Sequence, residues 1–395
     1  MSLLHRIWQR IPRRLRRDAL FGGTALLAPR PDRPEPAGEG SLHVAGFLGA
    51  PTGLGAGARR MLDAMREQGL QPGSVDLTGP LRQGPAGPPP ALPPGPGTVV
   101  LHVNGPMLPW ALLVLGRRAL RHKRIIAYWA WELPALPADW DRGFRHCHRI
   151  WAPSRFCAAA FTRPGGPPVT VVPHPPPAPD PSPLGRDAFG LPADAFVSLA
   201  IFDATSSLAR KNPRGAIAAH AAAFGNDPDR LLVLKTHGTA AAGPAWAAVA
   251  RAAAAQGNVR VLDAALPRRD LWALMRNCDA LVSLHRAEGY GLAIAEAMAL
   301  GRPAVATGWS GNTDFMAGPG CFPVPWTLVP ARDPQSTYHH PDTCWAEPDI
   351  AAAAAILRRL AADPGLRHPP PQRLPPPDYP AALGASVLAR GGERG

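Results

Sequence analysis

Two runs of alternating strand and helix candidates, separated by a proline-rich segment, most constrain the fold of this chain. In the first run, apolar SLHVAGFLG (41–49) leads into a glycine-rich loop, GAPTGLGAG, and then into a helix candidate that Gly69 ends. This order opens many α/β nucleotide-binding domains. Further strands are predicted at residues 98–105, 124–131, 149–154 and 169–174.

The second run follows PHPPPAPDPSPLG (173–185), which is too proline-rich for a helix or a central strand and indicates a linker over residues 176–190. Strands are then predicted at 196–204, 230–238, 258–264, 279–285 and 303–309, and helices at 212–224, 246–257, 268–278 and 346–363. We therefore predict an α/β protein with two Rossmann-like domains facing across a cleft, into which the carboxyl ends of the strands point.

The basic charge of the chain is almost entirely arginine. Only Lys123, Lys211 and Lys235 are lysines among 42 basic residues, and the net charge of +13 suits anionic partners such as nucleotides, nucleic acid or an acidic membrane. If arginine has replaced lysine at positions where either residue functions, a lysine that remains suggests that a compact ammonium group is needed there.

The amino terminus combines this charge with apolar residues. Residues 1–20 contain six arginines and one acid, with apolar residues at helical intervals that Pro12 interrupts. The segment is read either as a basic amphipathic helix on an anionic membrane surface or as a solvated tail. Residues 22–40 are expected to be a flexible lead. The sequence has neither the apolar core of a signal peptide nor a long apolar run, so we expect a protein that is neither secreted nor membrane-spanning. The five cysteines are scattered, which fits reduced thiols in the cytoplasm.

The stretch EGYGLAIAEAMALG (288–301) places Glu288 in a loop and Glu296 in the helix that follows. Gly289 and Gly291 allow a tight turn, and the amino end of a helix is a site for phosphate. Glu296 would then accept hydrogen bonds from a diol such as ribose, and Glu288 would meet hydroxyl groups attached to the phosphates. Ordinary helix-capping electrostatics is the alternative reading.

Residues 288–316, EGYGLAIAEAMALGRPAVATGWSGNTDFM, resemble the donor-site signature of the large retaining glycosyltransferase family with the GT-B fold (family 4 type, glycosyl transferases group 1). FDATSSLARKNPRGAI resembles that family's loop in which a basic residue, here Lys211, binds the donor diphosphate. LVLKTHG resembles the next strand and places Lys235 nearby. YWAWELP, IWAPSRF and TCWAEPD resemble other segments, so the resemblance covers roughly residues 42–363.

The resemblance implies an enzyme that moves a sugar from a nucleotide-diphosphate sugar to a glycan, lipid-linked or protein acceptor, with retention and without metal or cofactor. Such enzymes act in polysaccharide biosynthesis, cytoplasmic or peripheral on the inner face of the membrane. The implied organisation is an N-terminal extension (1–40), an acceptor domain (41–175), the linker (176–190), a donor domain (191–345), and a C-terminal helix with a proline-rich tail of little structure (346–395).

The resemblance also implies roles for particular residues. Those with catalytic roles are Lys211, Glu288 and Glu132. Those that bind the donor are Gly53, Gly55, Arg210, Lys211, Lys235, Glu288, Gly289, Tyr290, Gly291, Leu292 and Glu296. Ser206 departs from the family, because many members have arginine there, and Arg210 is the candidate substitute. Many members have a histidine that faces the sugar in the segment that reads Tyr-Trp-Ala-Trp-Glu here. Glu132 would either occupy that position or orient the acceptor, and it is equally readable as a loop acid between core tryptophans.

Three other functions would use different parts of the sequence. A dinucleotide-dependent oxidoreductase would use the glycine loop, with Asp76 as the ribose-binding acid, but it leaves residues 200–316 unexplained. A metal-dependent transferase would use Asp-X-Asp at 139–141 or 227–229, although neither triplet ends an apolar strand. A nucleic-acid binder would interleave aromatic and basic residues, which this sequence does not do.

Overall fold

The computed structural model describes residues 13–50, 52–338 and 342–384. The first half of the predicted membrane-surface helix, residues 1–12, lies outside the described residues. Contacts divide the chain into two compact units. Unit 1 comprises Met1–Trp131, Ala135–Pro175 and Pro376–Gly395, and unit 2 comprises Glu132–Pro134 and Pro176–Pro375.

Strands and helices alternate along the chain. The strands are β1 (Ser41–Gly46), β2 (Gly73–Asp76), β3 (Gly97–His102), β4 (Lys123–Tyr128), β5 (Arg149–Ala152), β6 (Val169–Val171), β7 (Phe196–Ile201), β8 (Arg230–Thr236), β9 (Val259–Asp263), β10 (Ala280–Ser283), β11 (Ala304–Thr307), β12 (Cys321–Val324), β13 (Trp326–Pro330) and β14 (Cys344–Pro348). The helices are α1 (Arg13–Leu27), α2 (Gly53–Glu67), α3 (Leu108–Leu115), α4 (Arg117–Leu120), α5 (Asp141–Phe144), α6 (Arg155–Phe161), α7 (Leu208–Lys211), α8 (Pro213–Phe224), α9 (Thr239–Ala242), α10 (Pro244–Ala254), α11 (Arg268–Asn277), α12 (Leu292–Ala299), α13 (Ile350–Ala362) and α14 (Tyr379–Leu383).

Unit 1 is built on a parallel sheet with strand order β2-β1-β3-β4-β5-β6. The central strands β3 and β4 are buried along their whole length, as expected for a sheet covered by helices on both faces. Helix α2 packs Met61 and Met65 into the core beside Val44 and Val100. The alternation of short apolar strands with helices was therefore a correct prediction of this architecture.

The glycine-rich loop predicted over residues 49–57 is shorter than expected, because α2 already begins at Gly53. The hydroxyl of Thr52 caps this helix by accepting a hydrogen bond from the Gly55 N–H at 3.2 Å. A Cβ at Gly55 would lie 2.5 Å from the carbonyl oxygens of both Phe47 and Ala50. Glycine here allows close packing of helix on loop, so the prediction that it belongs to the loop was wrong.

The proline-rich lead, expected to be flexible, is attached to unit 1 in the structure. The carboxylate of Glu35 lies 2.9 Å from Arg124 Nε and 2.7 Å from Arg149 Nε. These ion pairs fix a segment whose composition alone indicates no structure. Among the described residues, no helix is both long enough and apolar enough to cross a membrane.

The proline-rich tail also returns to unit 1. Tyr379 is fully buried in the core of this unit, and Gln68 Nε2 donates to the carbonyl oxygen of Pro377 at 2.8 Å. The expectation of little structure was therefore wrong for residues 376–384, because tertiary packing stabilises a segment with weak local preference.

Unit 2 contains a second parallel sheet, with strand order β12-β11-β10-β7-β8-β9. An antiparallel hairpin of β13 and β14 lies outside this sheet. The predicted helix over 346–363 starts only at Ile350, because residues 344–348 form β14 and the side chain of Asp349 caps the helix by accepting from Ala352 N at 3.0 Å. Both units have the Rossmann-like architecture that the sequence predicts.

Candidate functional site

Three loops meet at the carboxyl edge of the unit 2 sheet. They follow β7, β10 and β11, which are adjacent and parallel, so their carboxyl ends lie side by side. Ligands of open α/β sheets bind at this edge. The residues predicted from the EGYG motif and from the ARKNP segment lie on these loops.

The loop after β7 contains α7, a single helical turn that carries Arg210 and Lys211. Ser207 caps this turn by accepting from the Arg210 N–H at 3.1 Å. Asn212 follows in the left-handed region, with φ of 51°, and joins α7 to α8. Its Nδ2 donates to Leu284 O at 2.9 Å, which ties this corner to the end of β10.

Both cations of α7 converge on Glu288. The Lys211 ammonium pairs with Glu288 Oε1, and Arg210 Nη1 lies 3.2 Å from the same oxygen. Burial alone would raise the pKa of the Glu288 carboxyl, but Lys211 and Arg210 outweigh it and lower that pKa to about 2. Arg210 Nη2 also donates to Ser206 Oγ at 3.2 Å, so its guanidinium lies beside Ser206, the residue for which Arg210 is the candidate substitute.

The SGN segment after β11 fixes the backbone of the EGYG loop. Ser310 Oγ accepts from the Glu288 N–H at 2.8 Å, and the Gly311 N–H donates to Glu288 O at 2.9 Å. A Cβ at Gly311 would collide with the carbonyl group of Gly289. This close approach explains the glycine in the segment.

His285, which the sequence analysis does not single out, is fully buried three residues before Glu288. Its Nε2 lies 3.0 Å from Asn312 Oδ1, and Thr307 Oγ1 donates to His285 O at 2.6 Å. Burial lowers the pKa of this imidazole. The available signal was a histidine at the carboxyl end of the apolar strand DALVSLH.

The amino end of α12 faces the same edge. Gly291 caps it in the left-handed region with φ of 100°, no side chain bonds to this cap, and a Cβ there would lie 3.2 Å from Asn312 Cβ. Leu292 is the first residue of the helix and is half-buried, and the buried ring of Tyr290 lies 4.9 Å from that of Phe315. The amides and dipole of this helix end favour an anion.

Glu296 lies one turn into α12 and is 3% exposed. Its Oε1 is 2.6 Å from Nη1 of Arg268, the first residue of α11. The guanidinium of Arg268 also lies 5.5 Å from the ring centroid of Trp272. The sequence predicts the carboxylate but not its arginine partner, because the two come from separate helices.

Lys235 ends up in a different environment from Lys211. Its ammonium donates to the carbonyl oxygens of Thr236 at 3.0 Å and Ala264 at 2.5 Å, and burial lowers its pKa. Lys123, in unit 1, is likewise buried, and it donates to Ser41 Oγ and Gly95 O. Two of the three lysines thus act as compact buried donors, which agrees with the ammonium argument without requiring a ligand.

Glu132 groups by its contacts with unit 2. Its Oε1 lies 4.0 Å from Arg210 Nη2, and it shares a hydrogen bond with the buried phenol of Tyr338. The ring of Tyr338 lies 5.3 Å from the Arg210 guanidinium, and burial raises the pKa of its hydroxyl well above the usual range. Sequence reasoning singles out Glu132 but misses Tyr338.

The loop that carries Tyr338 is attached to α7. Gln335 Oε1 accepts from Leu208 N at 2.5 Å, and Gln335 Nε2 donates to Ser206 O at 2.9 Å. The carboxylate of Asp333 accepts from the backbone N–H of Tyr338 at 3.1 Å. This loop therefore fixes the start of α7 as well as the ring above Arg210.

The remaining predicted donor residues, Gly53 and Gly55, lie in unit 1, in the first turn of α2. The Asp-X-Asp triplets are occupied locally: Asp141 pairs with Arg163 at 2.6 Å, and Asp227 accepts from the Asp229 N–H in the turn before β8. No cluster of His, Cys, Asp and Glu suited to a metal ion occurs in residues 13–50, 52–338 and 342–384.

Asp76, the ribose-binding acid of the oxidoreductase alternative, ends β2. Its Oδ1 accepts from Thr78 N at 2.9 Å, from Thr78 Oγ1 at 2.5 Å and from Gly49 N at 3.3 Å. Burial would raise its pKa, but these hydrogen bonds lower it. Its carboxylate is thus committed to the loops of unit 1.

Comparisons with known proteins show similarity in sequence over part of the chain and in fold. Residues 222–341 match the family model described as glycosyl transferases group 1. No curated protein matches the sequence. The segment matched covers the strands and loops from β8 to β13, including Glu288 and Glu296.

Solved structures share the architecture at low sequence identity. Anabaena HepE, in complex with UDP and glucose, is 14% identical over 82% of this chain and 91% of its own, with a TM-score of 0.57. WaaG, a glycosyltransferase involved in lipopolysaccharide biosynthesis, is 14% identical over 82% and 92%, with a TM-score of 0.52.

A mutant of S. aureus TarM, solved with fondaparinux, α-GlcNAc-glycerol and UDP, is 10% identical with a TM-score of 0.50. The match covers 69% of this chain but only 49% of that protein. At these identities the likeness shows the fold. The chain has the GT-B fold of two Rossmann-like units, and its residues 222–341 are similar to the glycosyl transferases of group 1.

Proposed function

We propose that this protein is a glycosyltransferase that moves a sugar from a nucleotide-diphosphate sugar to an acceptor, with retention of anomeric configuration. One observation carries the proposal. At the carboxyl edge of the unit 2 sheet, Arg210 and Lys211 converge on Glu288 next to the amino end of α12, and Glu296 lies one turn further in.

The chemistry follows from what the barrier requires. Sugar transfer needs departure of a nucleoside diphosphate from an oxocarbenium-like sugar, so cations and amides at the leaving phosphate supply most of the help. Lys211, Arg210 and the helix end at Gly291 and Leu292 are assigned this role. The departing phosphate takes the acceptor proton, and neither glutamate transfers one.

The two glutamates then bind opposite ends of the donor. Glu288 accepts hydrogen bonds from the sugar hydroxyls, and its low pKa keeps it ionised throughout the physiological range. Glu296 accepts from the ribose diol, in exchange for its contact with Arg268. Gly289 and Tyr290 shape the turn between them. Lys235 supports this site from the end of β8.

Unit 1 is assigned the acceptor. Gly53 and Gly55, in the first turn of α2, are proposed to be donor-binding residues. Glu132, whose contacts group it with unit 2, is proposed to orient the acceptor. The involvement of WaaG in lipopolysaccharide biosynthesis supports an acceptor that is a glycan or is lipid-linked. We place the enzyme in the cytoplasm, at the inner membrane face through residues 1–20, and assign it no metal, cofactor or nucleic-acid partner.

The test is release of nucleoside diphosphate from a panel of UDP-, GDP- and ADP-sugars, with glycan and lipid-linked acceptors and with or without EDTA. We expect one sugar nucleotide to be consumed, undiminished by EDTA, and NMR to show the donor's anomeric configuration in the product. Inversion would contradict the retaining assignment, and loss of activity in EDTA would contradict the metal-free one. No release from any donor by folded protein would contradict the proposal as a whole.

A further inference from the structure

Arg286 lies on the loop between His285 and Glu288, and its contacts join three separate segments of unit 2. It bonds to the α7 turn, to the hairpin strand β14, and through its own backbone to both. Its side chain is only 21% exposed. None of the contacts described here is with Glu288. Arg286 can therefore influence the positions of Arg210 and Lys211 through its contacts with the neighbouring segments.

The first set of contacts holds the α7 turn. Arg286 Nη1 donates to Ala209 O at 2.5 Å, and the Arg286 backbone N–H donates to Arg210 O at 2.7 Å. These are the carbonyl groups of the two residues that precede Lys211. A four-residue turn has little stability of its own, so such external bonds decide where its side chains lie.

The second set of contacts ties Arg286 to the hairpin. Its guanidinium forms a two-pronged ion pair with Glu347, with Nε at 2.5 Å from Oε2 and Nη2 at 2.9 Å from Oε1. The Ala346 N–H donates to Arg286 O at 3.0 Å, and the Trp345 ring centroid lies 5.7 Å from the guanidinium. Planar, paired hydrogen bonds of this kind fix orientation as well as distance.

We propose that Arg286 and Glu347 are positioning residues that hold Arg210 and Lys211 where the donor diphosphate binds. This role deepens the proposed function and rests on it. The carboxylate of Glu347 also neutralises the guanidinium of Arg286. Arg286 therefore holds the α7 turn without adding unpaired positive charge near Arg210 and Lys211. The β13–β14 hairpin, which belongs to neither six-stranded sheet, thereby becomes part of the donor site.

The test compares the affinities of the variants Arg286→Lys and Glu347→Gln for a nucleoside monophosphate and the matching diphosphate, measured by calorimetry. The nucleotide used is whichever of UDP, GDP and ADP binds the wild type. A lysine keeps the charge but cannot make the fork to Glu347 together with the bond to Ala209. We expect diphosphate affinity to fall about tenfold and monophosphate affinity to change less than about twofold.

Arg186→Lys is the matched control. Arg186 pairs with Asp279 at 2.9 Å, and its side chain is 23% exposed, close to the value for Arg286. It lies at the opposite, amino-terminal edge of the same sheet, where Asp279 also accepts from the N–H of Val197. This control should leave both affinities unchanged, whatever it does to the melting temperature.

The outcomes separate the two proposals. A wild type that binds no nucleoside diphosphate overturns the proposed function, and the positioning role with it. A wild type that binds one, with Arg286→Lys binding it equally well, overturns the positioning role alone. Equal losses for monophosphate and diphosphate, or the same losses in Arg186→Lys, would also overturn it, because they indicate general destabilisation.

Discussion

At the scale of single residues, the charge state of Glu288 organises the site of unit 2. The residue is 9% exposed, and its carboxylate stays ionised because Lys211 and Arg210 offset the cost of burial. If one of the three charged side chains, Glu288, Lys211 or Arg210, is removed, the charges of the other two are no longer fully compensated. The three residues should therefore behave as a unit in mutational experiments.

Lys211→Ala tests the cation at the leaving phosphate. We expect turnover to fall about 100-fold, as when one preorganised group at a developing charge is removed, with a smaller effect on nucleotide binding. Steady-state release of nucleoside diphosphate measures it. Arg214→Ala, an exposed basic residue near the start of α8, is the control and should retain activity. A Lys211 variant with wild-type turnover would contradict the assignment.

Glu296→Ala tests the ribose contact. We expect nucleoside diphosphate affinity to fall roughly tenfold, because the variant lacks the buried carboxylate that is proposed to accept from the ribose diol and that pairs with Arg268. Calorimetry measures this change. Unchanged binding of every nucleoside diphosphate would rule out the ribose assignment.

Sequence reasoning found the members of this site that lie within local motifs. Arg210, Lys211 and Glu288 were all predicted, and the structure brings them together. Arg268 and Tyr338 were missed, because they come from other elements and carry no local signal. The surviving-lysine argument identifies buried ammonium groups without distinguishing a ligand site from a structural one.

At the scale of elements, the start of α2 shows how a glycine-rich segment divides between loop and helix. Gly53 and Gly55 both lie in the first turn, but their surroundings differ. A Cβ at Gly55 would press on two carbonyl oxygens at 2.5 Å, whereas one at Gly53 would meet no atom within 4 Å. Sequence alone cannot make this distinction, since it depends on the path of residues 47–50.

These two glycines give a matched pair of variants. Gly55→Ala should destabilise the protein by about 1–3 kcal/mol through overpacking. Gly53→Ala should be neutral or stabilise it by up to about 1 kcal/mol, because alanine restricts the unfolded chain. Urea unfolding measures both changes. Similar effects of the two substitutions would contradict this account of the helix start.

A second element-scale feature is a buried aromatic cluster at the end of β3 and β4. His102 stacks on Tyr128 with ring centroids 4.2 Å apart, and His174 Nδ1 lies 3.5 Å from the Tyr128 hydroxyl. Burial, and then the charge of Arg60, lower the pKa of His174 to about 3. Burial lowers the pKa of His102 as well, so both imidazoles are neutral in the folded state.

This cluster makes unit 1 sensitive to acid. An unfolded histidine has a pKa near 6.5, so between pH 6.5 and 3 the unfolded chain binds a proton that folded His174 does not. The contribution of neutral His174 to the free energy of unfolding is therefore complete above pH 6.5, and it is smaller by roughly 2 kcal/mol at pH 5. Urea unfolding at pH 7 and pH 5 should show a smaller drop in His174→Gln than in the wild type. Equal drops would contradict this assignment.

At the scale of the whole molecule, the sequence predicts the architecture because parallel sheets have strong local signatures: short apolar strands, helices between them, and a proline-rich break between the two runs. It does not predict the segments that return to unit 1. Tyr379 is fully buried there, although its surroundings in sequence are rich in proline. Contacts between residues 311 positions apart, such as Gln68 and Tyr379, leave no local pattern in the sequence.

Calorimetric titration of the folded full-length protein with UDP, GDP, ADP, NAD and NADP tests the central claim most directly. We predict that at least one nucleoside diphosphate binds, that Lys211→Ala and Glu296→Ala weaken it, and that NAD and NADP do not bind. Binding of NAD or NADP with no response to any nucleoside diphosphate would contradict the claim that unit 2 holds a nucleotide-sugar site.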